Sequence, residues 1–263
     1  MKKIATIKQK IERFNKVISV QGDKSLSIRW ALIASQALGV SKAFNLLESE
    51  DVKATLKVLN KLGVKIKTKK NYVMIYGNGL NSFSFKNNTV INAQNSGTLA
   101  RLILGVLAKS EKSIILKGDR SLSKRDFSRV IKPLNYFGVR IKSNKNKLPI
   151  TITGTKFLKP IFYEEIKGSA QVKSCIMLAA LNSPGVTKIK SIPSRDHTER
   201  FFKHIKIPIK IIKKKKFDIV EIKGLKQYRA FNYQIPGDIS SSAFFIVLTL
   251  LSKDSKLLIK NVN

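Results

Sequence analysis

The sequence is poor in residues that staple or ligate. Its 263 residues include one cysteine, Cys175, and two histidines, His197 and His204. A single thiol excludes a disulfide scaffold and a cysteine-built zinc cluster, and it suits a reducing compartment. Acidic residues are scarce: 16 Asp+Glu stand against 51 Lys+Arg, a formal net charge of +35. Long apolar runs are missing too. The longest, Ala243 to Leu251, is about half of what a membrane-spanning helix needs, and Thr249 interrupts it. No apolar stretch of leader length follows Met1-Lys2-Lys3. The expectation is a soluble cytoplasmic chain with no membrane partner. With 43% hydrophobic residues the chain can bury a core, which excludes wholesale disorder. Its length allows one large domain or two modest ones.

The excess charge has two readings. An anionic partner would use it, whether nucleic acid, an anionic membrane or a phosphorylated small molecule. Alternatively, Lys simply fills the solvated face, since 41 of the basic residues are Lys scattered along the whole chain. The 10 Arg are distributed differently. Arg29, Arg101, Arg120, Arg125, Arg129, Arg195 and Arg200 fall in or beside a few loop motifs. Arg suits fork-like binding of carboxylate and phosphate.

Those motifs form an internal repeat. Four small-residue loops each lead into an apolar helix: Gly22-Asp23-Lys24-Ser25, Asn95-Ser96-Gly97-Thr98, Gly168-Ser169-Ala170-Gln171 and Gly237-Asp238-Ile239-Ser240. They recur every 70–75 residues or so, roughly the size of a repeated α/β unit. The helices are expected over Leu26 to Leu38, Leu99 to Leu107, Val172 to Leu181 and Ala243 to Leu251. All four are apolar on most faces, which predicts burial on several sides. A short strand follows each, at 42–45, 113–116, 187–190 and 256–259. In the first three copies an amphipathic helix comes next (capped by Asp51 in the first), and then two strands. The fourth copy reaches Asn263 after its first strand, so the chain is expected to be a piece of a larger repeat protein.

The loops suit anions. A helix start offers free backbone N–H groups and a partial positive charge, and small residues let an anion approach. Lys24, Arg29 and Arg101 add full charges. Several such sites suggest a ligand with more than one anionic group. Any one loop alone reads better as an ordinary capped helix, and it is the joint pattern across copies that favours anion sites. Asp196, His197 and Glu199 lack a second His at ligand spacing and read as capping and surface charge, with no metal. Cys175, amid Ile176, Met177 and Leu178, reads as buried packing.

Six runs taken together resemble the 5-enolpyruvylshikimate-3-phosphate synthase family, the 3-phosphoshikimate 1-carboxyvinyltransferases. They are Gly22 to Arg29, Asn95 to Arg101, Gly118 to Arg125, Gly168 to Ser174, Ser194 to Arg200 and Pro236 to Phe245. The resemblance implies an enolpyruvyl transferase-like inside-out α/β barrel of repeated βαβαββ units, three complete and one partial. Residues 22–234 would form one complete domain. Residues 1–21 and 235–263 would belong to a second, incomplete one.

The family reaction transfers the carboxyvinyl group of phosphoenolpyruvate to the 5-hydroxyl of shikimate 3-phosphate, in aromatic amino acid biosynthesis, with no cofactor. By resemblance Lys24 is catalytic and touches both substrates. Ser25 and Arg29 hold the shikimate carboxylate, Ser169, Ala170 and Ser194 the 3-phosphate with Arg195 helping, and Gln171 lies against the ring. Asn95, Gly97 and Arg125 take the phosphoenolpyruvate phosphate. Gln21 and Asp126 replace the family's usual Pro, and Asp126 sets a carboxylate beside Arg125. The acid–base groups of the family are expected outside this chain, so the chain alone is expected to be inactive, and the full-length protein a monomer that binds no nucleic acid. The alternatives are a UDP-N-acetylglucosamine 1-carboxyvinyltransferase and a non-catalytic chain that binds anions or nucleic acid.

Overall fold

The structure, a computed structural model, describes Thr6, Lys8 and residues 11–262. Of the expected opening segment 1–21, residues 1–5, 7, 9 and 10 lie outside the described residues, as does Asn263.

The elements grow from the repeat. Strand β1 (Asn15–Ser19) precedes helix α1 (Lys24–Ala34), which Asp23 caps by accepting the Leu26 N–H at 2.7 Å. The first repeat continues with β2 (Leu38–Phe44), α2 (Glu50–Lys61), β3 (Lys65–Thr68) and β4 (Tyr72–Asn78). The second holds β5 (Thr89–Asn92), α3 (Gly97–Val106), β6 (Ser113–Lys117), the single turn α4 (Arg120–Ser123), α5 (Ser128–Tyr136), β7 (Arg140–Asn144) and β8 (Lys147–Thr153). The third holds β9 (Phe162–Glu165), α6 (Ala170–Ala180), β10 (Val186–Ser191), α7 (His197–His204), β11 (Ile209–Lys213) and β12 (Asp218–Lys223). Then come β13 (Asn232–Gln234), α8 (Ile239–Leu251) and β14 (Lys256–Lys260).

Three four-stranded sheets share one connectivity: β13-β2-β4-β3, β5-β6-β8-β7 and β9-β10-β12-β11. In each the first pair is parallel and the other two are antiparallel. Helices α3 and α6 are the crossovers that parallel pairs require. The first repeat differs. The strand beside β2 is β13, from far along the chain, while β1 pairs in parallel with β14, Val17 opposite Leu258. The chain therefore passes twice between the two sheets, and the passes are bonded together. Gly22 and Gly237 form an antiparallel bridge, with Asp23 N–H donating to Pro236 O at 2.8 Å and Asp238 N–H to Gln21 O at 2.9 Å. A Cβ on Gly22 would stand 1.9 Å from Asn45 O, so only glycine fits this crossing.

The interior is helical and the sheets lie outside it. Leu26 through Ala34 of α1 are all buried, and α3 and α6 are nearly as enclosed. On β8 the buried side chains alternate (Leu148, Ile150, Ile152), the period-2 signature of a sheet with one face on the core. Close packing at the centre depends on Gly105 in α3, where a Cβ would meet Cys175 O of α6 at 2.2 Å. Cys175 is fully enclosed there, and burial pushes its thiol up to about 12.

Several sequence expectations need correction. Helix α1 does not reach Leu38. Ser35 closes it, and the chain is already in β2 at Leu38, with Gly39 at φ 108° inside that strand. Ser49, not Asp51, caps α2, because Ser49 Oγ is the atom that accepts the Val52 N–H. The residues alone did not show the strand before the first helix of each unit, which only the βαβαββ pattern of the resemblance implied. β5, β9 and β13 have four, four and three residues, too short for alternation to register. Burial on several sides fails for α8. It packs against β14, yet Ser242 is its only buried residue, and Phe244, Leu250 and Leu251 are 82%, 80% and 77% exposed. Apolarity alone reports what a helix could bury, and the partner has to come from tertiary structure.

Candidate active site

Five helices bring first-turn residues to one cavity of about 480 Å³: Ser25 of α1, Thr98 of α3, Gln171 of α6, His197 of α7 and Ser240 of α8. Each of these first-turn residues is polar, and the five helix starts offer backbone N–H groups and dipoles to the same space. Lys24, Arg29 and Arg195 add full positive charge to its wall, and Ala170 lines it too. Gln171 is fixed by donating from Nε2 to Thr98 Oγ1 at 3.0 Å, a contact between neighbouring repeats. Asp238, which also lines the cavity, caps α8 by accepting the Ser240 N–H at 2.8 Å.

Arg29 is 3% exposed, yet it borders the cavity. Its Nε donates to Thr198 Oγ1 and its Nη2 to Ser174 Oγ, both at 3.0 Å, and its Nη1 to Ser25 O at 3.1 Å. Burial drives its guanidinium down to about 10, against the opposing pull of Glu199 and Asp23. It remains a cation at neutral pH. His197 is held below its ordinary value, first by burial and then by the charge of Arg29. The Lys24 ammonium lies 3.1 Å from Asp51 Oδ2. Asp51 is thus the acidic partner of Lys24, a role that its position in the sequence did not suggest.

The residues expected on the phosphoenolpyruvate side lie next door. Asn95 Nδ2 donates to Asp119 Oδ2 at 2.6 Å. A Cβ on Gly97 would stand 2.8 Å from Arg101 Nη1 and 3.0 Å from Arg125 Nη1, so both guanidiniums flank that glycine. Asp126, the departure from the family pattern, accepts from Arg101 Nη2 through its backbone O at 3.3 Å, while its carboxylate is held by Ser128. Its Oδ1 accepts the Ser128 N–H at 3.2 Å, and its Oδ2 the Ser128 hydroxyl. Arg101 folds back to donate to Gly97 O at 3.3 Å and lies over the Phe127 ring.

Two expected ligands stand apart from the cavity. Ser169 caps α6, its Oγ accepting the Val172 N–H at 3.4 Å, while its own N–H is held by Glu165 Oε2 at 2.8 Å. Ser194 borders a neighbouring cavity of about 330 Å³ beside Glu199 and Lys213, and its buried Oγ has no hydrogen-bond partner among the described residues. A larger cavity of about 710 Å³ lies on the other side of Leu47 and is bordered by none of the expected ligands. Its size does not make it the site, because it lacks the converging helix starts. Among the described residues no group of three or more His, Cys, Asp or Glu could hold a metal, and Glu199 is engaged by Lys173 at 2.5 Å. No helix among them is long and apolar enough to cross a membrane.

Sequence reasoning passed over Thr98, Ser174, Thr198 and Asp51 as contributors. Their partners are far along the chain, and no spacing rule links them. All of these but Asp51, like His197 and Asp238, stood inside quoted motifs, so proximity to those motifs was the available signal.

A repeated α/β fold that aims its helix starts and cations at one cavity defines a binder of small, multiply anionic ligands. The model for EPSP synthase (3-phosphoshikimate 1-carboxyvinyltransferase) matches residues 8–263, and the chain belongs to this family. It is 44% identical to the 3-phosphoshikimate 1-carboxyvinyltransferase of Petrotoga mobilis over 256 residues, which is 95% of this chain and 58% of that protein. It is likewise 44% identical to the enzyme of Ruthia magnifica, over 94% of this chain and 56% of that protein. The EPSP synthase structure from Acinetobacter baumannii superposes with a TM-score of 0.86 at 34% identity, covering 95% of this chain and 56% of that one. The chain thus spans a little over half the length of the relatives it matches.

Proposed function

We propose that this chain supplies the shikimate 3-phosphate site, and part of the phosphoenolpyruvate site, of a 3-phosphoshikimate 1-carboxyvinyltransferase. The carrying observation is the convergence of five helix starts with Lys24, Arg29 and Arg195 on one cavity. In the reaction the 5-hydroxyl oxygen bonds to C2 of phosphoenolpyruvate, the C2–O bond to phosphate breaks, and the hydroxyl proton is released as inorganic phosphate leaves. Arg29, with Ser25, takes the shikimate carboxylate. Ser169, Ala170 and Ser194 take the 3-phosphate, with Arg195 beside them, and Gln171 supports the ring. The buried, unpartnered Ser194 hydroxyl and the helix start behind Ser169 suit a phosphate. Lys24 reaches both substrates by loosening its contact with Asp51. Asn95, Gly97 and Arg125 take the phosphoenolpyruvate phosphate, and the paired guanidiniums beside Gly97 support that assignment. The full-length protein works in the cytoplasm as a monomer, without cofactor or nucleic acid.

The domain reading follows the crossings. Residues 22–234 make one domain of three units, with β13 as the edge strand beside β2, and β1, α8 and β14 belong to the other. Titration calorimetry with shikimate 3-phosphate tests the function. The protein should bind it, Arg29→Ala should weaken binding tenfold or more, a loss of about 1.5–3 kcal/mol for a charge-assisted contact, and UDP-N-acetylglucosamine should not compete. Absence of binding, or equal competition by the nucleotide sugar, would overturn the reading.

A further inference from the structure

Arg29 reaches the cavity through a buried framework that its own loop provides only in part. A guanidinium has five N–H groups. Three are committed inside the protein, to Thr198 Oγ1, Ser174 Oγ and Ser25 O. What remains is one N–H on each Nη nitrogen, the pair that can fork onto a carboxylate.

The hydroxyl partners resolve into a single directed chain. Ser174 Oγ donates to Ala170 O at 2.7 Å, so its one proton is used there. The 2.7 Å contact between Ser174 Oγ and Thr198 Oγ1 must then be donated by Thr198. Both oxygens are left to accept from Arg29, as observed. The chain ends on Ala170, a residue of the cavity wall. One residue along on each helix, Lys173 of α6 and Glu199 of α7 form an ion pair at 2.5 Å, with side chains 1% and 4% exposed. Adjacent pairs, 173 with 199 and 174 with 198, fix how α7 sits on α6. Because Lys173 engages Glu199, Arg29 meets neutral hydroxyls instead of a carboxylate. Three of its N–H groups are satisfied by neutral acceptors, and its charge is only partly offset, by Glu199 and Asp23.

We propose that Ser174 and Thr198 are positioning residues that hold one edge of Arg29, leaving its free N–H pair as the carboxylate fork of the cavity, and that the Lys173–Glu199 pair sets the helix register that places them. This rests on the reading of Arg29 as the carboxylate ligand. Two measurements on the protein separate the two ideas. The first is affinity for shikimate 3-phosphate and for inorganic phosphate, a probe without a carboxylate. Thr198→Val should weaken the former about tenfold and leave the latter unchanged, and Thr198→Ser should restore wild-type affinity. Wild-type affinity in Thr198→Val, or equal loss of both ligands in the Val and Ser variants, overturns the proposal. The second is solvent exchange of the Arg29 Nε–H, followed by NMR without ligand. It should be slow in the wild type and at least tenfold faster in Thr198→Val, and equal rates overturn the proposal. If the wild type ignores shikimate 3-phosphate while the exchange difference holds, the substrate reading falls and the positioning role stands.

Discussion

Lys173 and Glu199 meet at 2.5 Å in the interior, one on α6 and the other on α7. Glu199 Oε2 has no hydrogen-bond partner among the described residues, so the carboxylate depends on Lys173 for its compensation. Removing one partner strands a buried charge, whereas removing both need not. Lys173→Met should therefore destabilise the protein by about 3–5 kcal/mol, and Lys173→Met with Glu199→Met by much less. Urea denaturation followed through Trp30, the single tryptophan and fully buried, gives the comparison. A double variant as unstable as the single one would show that the pair is not the issue.

His197 titrates below 6.5 because of burial first and the Arg29 charge second. Its folded-state pKa is lowered, so between that value and 6.5 the unfolded chain binds more protons. Stability from this group is fully present above 6.5 and is lost as pH falls towards the folded pKa. Arg29→Gln should raise the imidazole pKa while leaving it under 6.5, since burial is the larger cause. An NMR titration of His197 reads both, and a wild-type value at or above 6.5 would refute the assignment.

Gly105→Ala should destabilise the protein by about 1–3 kcal/mol, because the methyl would collide with the Cys175 carbonyl and force α3 from α6. An exposed glycine-to-alanine change within a helix would do the reverse, by helix propensity. Thermal unfolding distinguishes the two, and a raised midpoint would mean that the helices are not in contact there.

Much of the repeat was legible in advance. Alternation located the long strands β8 and β10, and small residues before apolar runs located the starts of α1, α3, α6 and α8. The short edge strands escaped, since four residues carry too little pattern and their pairing partners lie elsewhere. The exchange of β1 and β13 was invisible in the residues for the same reason. A strand's sequence states which face is apolar and says nothing of which sheet it joins. Among the site residues, Lys24, Ser25, Arg29, Ala170, Gln171 and Arg195 came from local motifs and meet in one cavity. Ser194 and Ser169 came from the same motifs; Ser194 borders a neighbouring cavity and Ser169 caps α6.

The single cysteine, met first in the sequence, excluded a disulfide scaffold, and the small-residue loops with Lys and Arg beside them pointed to helix starts as the candidate anion site. Local chemistry sufficed for this, because capping, glycine turns and apolar periodicity act over a few residues. The tertiary structure alone decided which cations are free to act. Asp51 pairs with Lys24, Asp126 is held by Ser128, and Glu199 pairs with Lys173. With so few carboxylates, each pairing shapes the field of the cavity, and distances of about 3 Å between residues far apart in the chain are set only when the helices pack.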